Sequence, residues 1–83
     1  MNKVFVNLYV PLIEQNFELF IPINRKICAI IKMVTKSIDE LSDGNYKVNT
    51  HTSLYNRKTG EVYDENITVK ESDIRNGTSL III

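Results

Sequence analysis

The chain opens with two stretches in which apolar side chains recur at every second position. These are Val4, Val6, Leu8 and Val10 in residues 4–10, and Phe17, Leu19 and Ile21 in residues 16–21. Because successive side chains of a β-strand point to opposite faces of a sheet, this period of two predicts two strands. Pro11 cannot donate a hydrogen bond to a neighbouring strand and ends the first of them, so the short connection predicts a β-hairpin.

The period of the apolar positions changes after Pro22. From there on they fall at Ile27, Ile30, Ile31, Val34, Ile38 and Leu41. At about 100° of rotation per residue these side chains form one narrow stripe along a helix. With Asn24 as the predicted N-cap and Asp43-Gly44 as the predicted stop, residues 25–41 are expected to form an amphipathic helix that packs on the sheet.

The second half of the chain divides into shorter elements. In chain order we predict a polar connecting loop (42–51), a short strand (52–56), a turn (58–61), a brief edge strand (62–63), a helical turn (69–74), a tight turn at Asn76-Gly77 and a final strand (79–83). Thr68 and Glu71 have the spacing of a capping box, which predicts the helical turn. Asparagine and glycine tolerate positive φ, which predicts the tight turn.

This order of elements predicts an α+β domain in which one helix packs on one face of a mixed, five-stranded sheet. The final strand is the most apolar, so we expect it in the middle of the sheet with neighbours on both sides. Since one core typically serves about 100–200 residues, residues 1–83 are expected to form a single domain.

Composition and charge narrow the class of protein. The apolar fraction of 43% and the charged fraction of 24% are typical of a soluble globular protein. Ten basic and ten acidic residues cancel, so we expect no nucleic-acid partner, and no apolar run is long enough to predict membrane insertion. Cys28 is the only cysteine, so the fold must stand without an internal disulfide, which favours the reducing cytoplasm.

The chain resembles the ubiquitin family along nearly its whole length. The residues that carry the resemblance are Val4-Phe5-Val6 for the first strand, Ile21-Pro22 with Ile27, Ile30 and Val34 for the second strand and helix, and Leu54-Tyr55-Asn56 through Ile67, Val69, Ile74 and Leu80-Ile81-Ile82-Ile83 for the second half. The segment Ile74-Arg75-Asn76-Gly77-Thr78-Ser79-Leu80 is most similar to bacterial ubiquitin-like proteins of the YukD/EsaB type.

The resemblance implies a ubiquitin-like β-grasp fold and a non-catalytic role in protein binding. Proteins of the YukD/EsaB type accompany type VII secretion systems of Gram-positive bacteria, so the implied partner is a larger protein such as a component of that apparatus. The alternative is a ubiquitin-like modifier or sulfur carrier. Those relatives end in Gly-Gly, whereas this sequence ends in Ile83 within a predicted strand, so we expect neither role.

No catalytic constellation is visible in the sequence, so we predict no enzyme, no cofactor and no metal site. His51 stands alone in a polar loop, and Asp64-Glu65-Asn66 lacks the spacing of a calcium-binding loop and is expected to be a plain turn. Cys28 is expected to be a half-buried small apolar residue, with a thiol activated by Arg25 and Lys26 as the alternative. These two cations also lie at the positive end of the helix dipole, which costs a small amount of free energy. Either the protein tolerates this cost, or an acidic partner docks at the two cations.

Alternation along the strands places a second set of large side chains on the sheet face turned away from the helix. They are Phe5, Tyr9, Phe20, Tyr55, Ile81 and Ile83. A contiguous apolar patch of several hundred Å² on a small protein usually marks an interaction site, and aromatic residues often anchor such sites. We therefore predict that this face binds a larger protein.

Two alternatives to this partner site stay open. The face could pair with a second copy of the chain to form a homodimer across a two-fold axis. It could also be covered internally, by the 42–51 loop or by a twist of the last strand that buries Ile81.

Overall fold

A computed structural model describes residues 2–41 and 52–83 of the chain. The predicted hairpin is confirmed. Strand β1 (Lys3–Val10) pairs antiparallel with β2 (Gln15–Pro22), in a register that runs from Lys3 opposite Pro22 to Val10 opposite Gln15. A short 3-10 turn (Pro11–Ile13) connects them and ends at Glu14, whose φ of 51° is left-handed.

The predicted helix is confirmed as α1 (Ile27–Leu41), although it begins two residues later than the sequence suggests. The N–H groups of Ile27 and Cys28 donate to the carbonyl oxygens of Ile67 and Glu65, at 2.8 and 3.1 Å. Free N–H groups at a helix start need such acceptors. Here the backbone of a distant segment accepts these two hydrogen bonds in place of the predicted Asn24 side chain.

The sheet order is β2-β1-β4-β3, where β3 is Leu54–Asn56 and β4 is Ser79–Ile82. Strand β4 runs parallel to β1 and antiparallel to β3, so the expected central place of the last strand is confirmed.

The prediction of five strands is wrong for the described part of the chain, which contains four. Val62 makes only an isolated bridge with Tyr55. Two backbone hydrogen bonds, from Asn56 N–H to the Glu61 carbonyl and from Tyr63 N–H to the Leu54 carbonyl, hold this short pairing. The Asp64 side chain then accepts a hydrogen bond from the N–H of Asn66 at 2.9 Å, which forms a turn and carries the chain away from the sheet.

The core lies between the sheet and α1, as the two apolar periods predict. The strands contribute Val6, Leu8, Val10, Ile21, Leu54, Leu80 and Ile82, and the helix contributes Ile27, Ile30, Ile31, Val34 and Ile38. Val4, Phe17 and Leu19, also predicted to face the helix, are partly buried against this core.

The irregular segment between β3 and β4 completes the core with Val69 and Ile74. The predicted capping box is present, since Thr68 N–H donates to the Glu71 carboxylate at 2.9 Å and Glu71 N–H donates to the Thr68 hydroxyl at 3.2 Å. Hydrogen bonds from the Thr68 backbone and hydroxyl lower the pKa of Glu71. The expected helical turn is a hydrogen-bonded turn over residues 69–71 and does not continue as a helix.

The predictions made for residues 42–51, which are the connecting loop, the helix stop at Asp43-Gly44 and the isolated His51, lie outside the described residues. Within the described residues, no helix combines the length and the apolar character needed to cross a membrane.

Candidate protein-binding face

The side of the sheet turned away from α1, which we call the open face, carries a row of paired residues that crosses all four strands. Tyr9 on β1 lies opposite Asn16 on β2 and beside Ile81 on β4. Ile81 in turn lies opposite Tyr55 on β3. The strand register therefore brings three of the six predicted side chains, Tyr9, Ile81 and Tyr55, into one line.

Phe5 and Phe20 form a second apolar group on the open face. They are register partners across the hairpin, with ring centroids 5.0 Å apart and ring planes inclined by 58°. Aromatic pairs prefer such tilted arrangements. The turn at Asn76-Gly77 fixes this end of β1, because the Asn76 side chain accepts a hydrogen bond from Phe5 N–H at 2.8 Å and Gly77 N–H donates to the Phe5 carbonyl at 2.7 Å.

A polar row separates the two apolar groups. Asn7 on β1 lies opposite Glu18 on β2 and beside Ser79 on β4. The open face is thus divided into an aromatic pair at one end and the Tyr9–Ile81–Tyr55 row toward the other. Ile83 follows two residues after Ile81, and its backbone exchanges hydrogen bonds with Ser53.

All six predicted residues keep part of their surface exposed. Phe20 and Ile83 are 57% and 63% exposed, and the other four are half-buried. The alternative in which strand twist buries Ile81 does not hold, since Ile81 lies at intermediate burial. The other alternative, a covering 42–51 loop, lies outside the described residues.

Arg57 is a member of this face that the sequence reasoning missed. Its N–H donates to the Ser79 carbonyl, just beyond the end of β3, and its side chain extends across the sheet. The guanidinium carbon lies 4.8 Å from the centre of the Tyr9 ring, and Nη1 donates to the Asn16 side chain at 3.1 Å. A cation over an aromatic ring contributes about 0.5–1 kcal/mol at an exposed site.

No local motif in the sequence marks Arg57. It reaches Tyr9 only because β4 separates β3 from β1, which places the two strands about 10 Å apart, within reach of a long side chain. The residue of β4 that lies beside Arg57 is Ser79, whose small side chain leaves room for the arginine to extend across β4. Only the strand order reveals this contact.

A groove of about 310 Å³ lies between α1 and β2, at the edge of the sheet, where two residues of the open face, Glu18 and Phe20, also contribute to its lining. It is lined by Leu8, Phe17, Glu18, Leu19, Phe20, Met33, Val34, Ser37 and Ile38. Phe20 and Met33 are its exposed apolar members, at 57% and 43% exposure. The groove is a second apolar surface that the sequence reasoning did not identify.

The structure also describes the other residues that the sequence analysis considered for chemistry, a cysteine and an acidic turn. Cys28 is a half-buried free cysteine in the first turn of α1, as expected for a small apolar residue. Asp64-Glu65-Asn66 is a turn, as expected. Over residues 2–41 and 52–83, no three His, Cys, Asp or Glu side chains are grouped so as to hold a metal ion.

A small polar cluster at the end of β3 contains a tyrosine with a raised pKa. The Tyr63 hydroxyl donates to the Asp73 carboxylate at 2.7 Å and accepts from the Asn56 side-chain amide at 3.0 Å. Burial, together with the hydrogen bond to Asp73, raises the pKa of Tyr63 to about 12. This cluster links the end of β3 to the segment that precedes β4.

Comparison with known proteins gives similarity of structure only. No protein-family model and no curated protein matches the chain. The ubiquitin-like domain of ECCD1, a type VII secretion system protein of Mycobacterium tuberculosis, matches with a TM-score of 0.78 and 9% identity over 100% of this chain and 99% of that domain.

Two further solved structures are similar. Ubiquitin from Caldiarchaeum subterraneum has a TM-score of 0.68 and 11% identity over 96% of this chain and 90% of that chain. A chain of the MycP5-free ESX-5 inner membrane complex has a TM-score of 0.75 and 16% identity over 100% of this chain but 21% of its own length. At these identities the comparisons bear on the fold, and together with the sheet order they establish that this chain has the ubiquitin-like β-grasp fold, one helix packed against a mixed sheet.

Proposed function

We propose that this protein is a non-catalytic protein-interaction module whose open face docks onto a larger protein. The observation that carries the proposal is the Tyr9–Ile81–Tyr55 row, in which apolar and aromatic side chains from three strands lie side by side and remain partly exposed. Interfaces are rich in such residues, and a few of them usually supply most of the binding free energy.

The finer proposal is that the module is an accessory or regulator of a type VII secretion system, of the YukD/EsaB type, and works in the cytoplasm. Its support is the resemblance of residues 74–80 to those proteins. One structural neighbour, the ECCD1 domain, comes from a protein named as a type VII secretion system protein, and another comes from the ESX-5 inner membrane complex. The proposed partner is a protein component of that apparatus.

The test is affinity capture with single substitutions on the two sides of the sheet. Tyr55→Lys and Ile81→Lys place a charge in the open face, whereas Met33→Lys makes the same kind of change in the groove between β2 and α1. We expect a partner that is captured by the natural protein and by Met33→Lys, and lost from the other two.

Circular dichroism and urea unfolding of each variant separate loss of binding from loss of fold. Partner capture that survives both Tyr55→Lys and Ile81→Lys contradicts the proposal. Capture that Met33→Lys alone abolishes assigns binding to the groove instead.

Self-association through the same face is the second proposal, since the row is open to a second copy of the chain as much as to another protein. Sedimentation over a range of concentrations distinguishes the two. If the open face forms a homodimer, the apparent mass of the natural protein rises with concentration. The apparent mass of Ile81→Lys should stay that of the monomer at every concentration.

A further inference from the structure

We propose that Arg57 determines which partners the open face accepts, by pairing with a carboxylate that the bound segment presents beside its apolar side chains. The inference rests on the proposed function, because it concerns the same face. It adds the chemical class of the partner, an acidic protein segment with neighbouring apolar residues.

Within residues 2–41 and 52–83 the Arg57 guanidinium forms no ion pair, although Glu18 lies on the same face of the sheet, two residues along β2 from Asn16. Its guanidinium contacts there are the neutral amide of Asn16 and the Tyr9 ring. A guanidinium has five N–H donors, and the bond to Asn16 uses one of them. Arg75 differs, since its Nη1 donates to the carbonyl oxygens of Ser72 and Ile74 and so serves the fold.

The guanidinium is held in place before any partner binds. Stacking over Tyr9 at 4.8 Å sets its position and the 3.1 Å bond to Asn16 restricts its rotation. A long side chain that is already positioned loses less conformational entropy on binding. A planar guanidinium also matches a carboxylate in geometry, which a lysine ammonium does not.

The position of the cation matches the apolar row. Tyr9, on which Arg57 stacks, is the direct register neighbour of Ile81. A segment that lays an apolar side chain on Ile81 and Tyr55 therefore brings its adjacent side chains within reach of Arg57. An acid at that place gains a charge-assisted hydrogen bond, whereas a lysine or arginine meets a like charge.

The experiment is selection of random peptides displayed on phage against five forms of the full chain, namely the natural protein, Arg57→Gln, Arg57→Lys, Lys58→Gln and Ile81→Lys. Lys58 is the matched control, because it is the adjacent exposed cation and, among the described residues, its hydrogen bond is made by the backbone N–H, to the Asn56 side chain. We expect the natural protein and Lys58→Gln to enrich peptides in which Asp or Glu lies beside apolar residues. Arg57→Gln is expected to lose the acidic preference, and Arg57→Lys to retain part of it.

The enriched peptide is then synthesised with its acid and with the isosteric amide, and both are titrated into the natural protein and into Arg57→Gln. A charge-assisted hydrogen bond at an exposed site predicts that the amide binds the natural protein about tenfold more weakly. For Arg57→Gln the two peptides should bind with nearly equal affinity.

Several results overturn the inference. If the natural protein enriches apolar peptides without acids, and Ile81→Lys abolishes this enrichment, the proposed function is supported but the role proposed for Arg57 is contradicted. Enrichment that Ile81→Lys does not affect, or no enrichment at all, contradicts both. Arg57-dependent sedimentation with phosphatidylserine vesicles, without enrichment of acidic peptides, assigns the cation to an anionic membrane surface and also contradicts the inference.

Discussion

Glu14 holds a left-handed backbone conformation at the end of the turn that joins β1 to β2. Its φ is 51°, and its N–H donates to the Pro11 carbonyl at 3.1 Å. A residue with a Cβ atom is strained there by roughly 1–2 kcal/mol, whereas glycine adopts the conformation freely. Gly60, at φ 77°, fills the corresponding need in the turn after β3.

We predict that Glu14→Gly raises the free energy of unfolding by about 1 kcal/mol, because it relieves this strain. The reverse change, Gly60→Ala, should lower it by about the same amount. Open space surrounds the added Cβ of Gly60→Ala, so a clash does not contribute. Urea unfolding measures both, and a Glu14→Gly variant less stable than the natural protein would contradict the prediction.

Tyr63 gives the protein a specific sensitivity to alkali. Its pKa is raised from 10.0 in the unfolded chain to about 12 in the fold, so the folded state holds the proton more tightly. The resulting stability is fully present below pH 10 and is lost as the pH rises toward 12.

The variant Tyr63→Phe should therefore lose less stability between pH 10 and pH 12 than the natural protein does. Asp73→Asn removes one cause of the shift, the hydrogen bond and charge of Asp73, and should give an intermediate loss. The measurement is the free energy of unfolding at each pH. Equal losses in the natural protein and Tyr63→Phe would show that other groups control the alkaline response.

At the scale of the elements, β4 is the strand on which the sheet depends, since it lies between β1 and β3. Its side chains serve both faces. Leu80 and Ile82 are 2% and 1% exposed in the core, while Ile81 belongs to the open face.

Truncation of a buried leucine removes apolar contacts and leaves a cavity, so Leu80→Ala should lower the free energy of unfolding by about 2–5 kcal/mol. Leu12→Ala is the matched control, because Leu12 is 69% exposed in the turn between β1 and β2. The control should stay within about 0.5 kcal/mol of the natural protein. If urea unfolding shows that Leu80→Ala and Leu12→Ala lower the free energy of unfolding by similar amounts, β4 does not lie at the centre of the core.

The elements could be predicted from the sequence where the signal is periodic and local. Alternation along the strands and the stripe on α1 depend on one segment at a time, and both indicated the correct core side. The residue at which α1 starts, and whether Val62 forms a strand or only a bridge, depend instead on which distant backbone groups become neighbours. Those neighbours, the carbonyl groups of residues 65 and 67 and a single bridge to Tyr55, carry no local pattern.

The same distinction applies to the candidate site. Phe5, Tyr9, Phe20, Tyr55, Ile81 and Ile83 could be assigned to the face away from the helix, because parity along each strand decides the side. Their grouping could not, since it depends on register between strands. Register separates Phe5 and Phe20 from the other residues by the polar row of Asn7, and it brings Arg57 over Tyr9.

At the scale of the whole molecule, the fold has one side of the sheet covered by α1 and the other side open over its described residues. The helix carries one apolar stripe and covers only the face it packs on. The open face keeps Tyr9, Ile81 and Tyr55 in one row, and we propose that this row is the centre of the docking surface.

The dissociation constant of the captured partner, measured by calorimetric titration for the natural protein, Ile81→Lys and Met33→Lys, tests the docking surface most directly. A charge in the centre of an interface typically costs about 2 kcal/mol or more, so Ile81→Lys should weaken binding by at least about thirtyfold. Met33→Lys, on the helix side, should change it less than about threefold. Unchanged affinity in a folded Ile81→Lys protein would contradict the account.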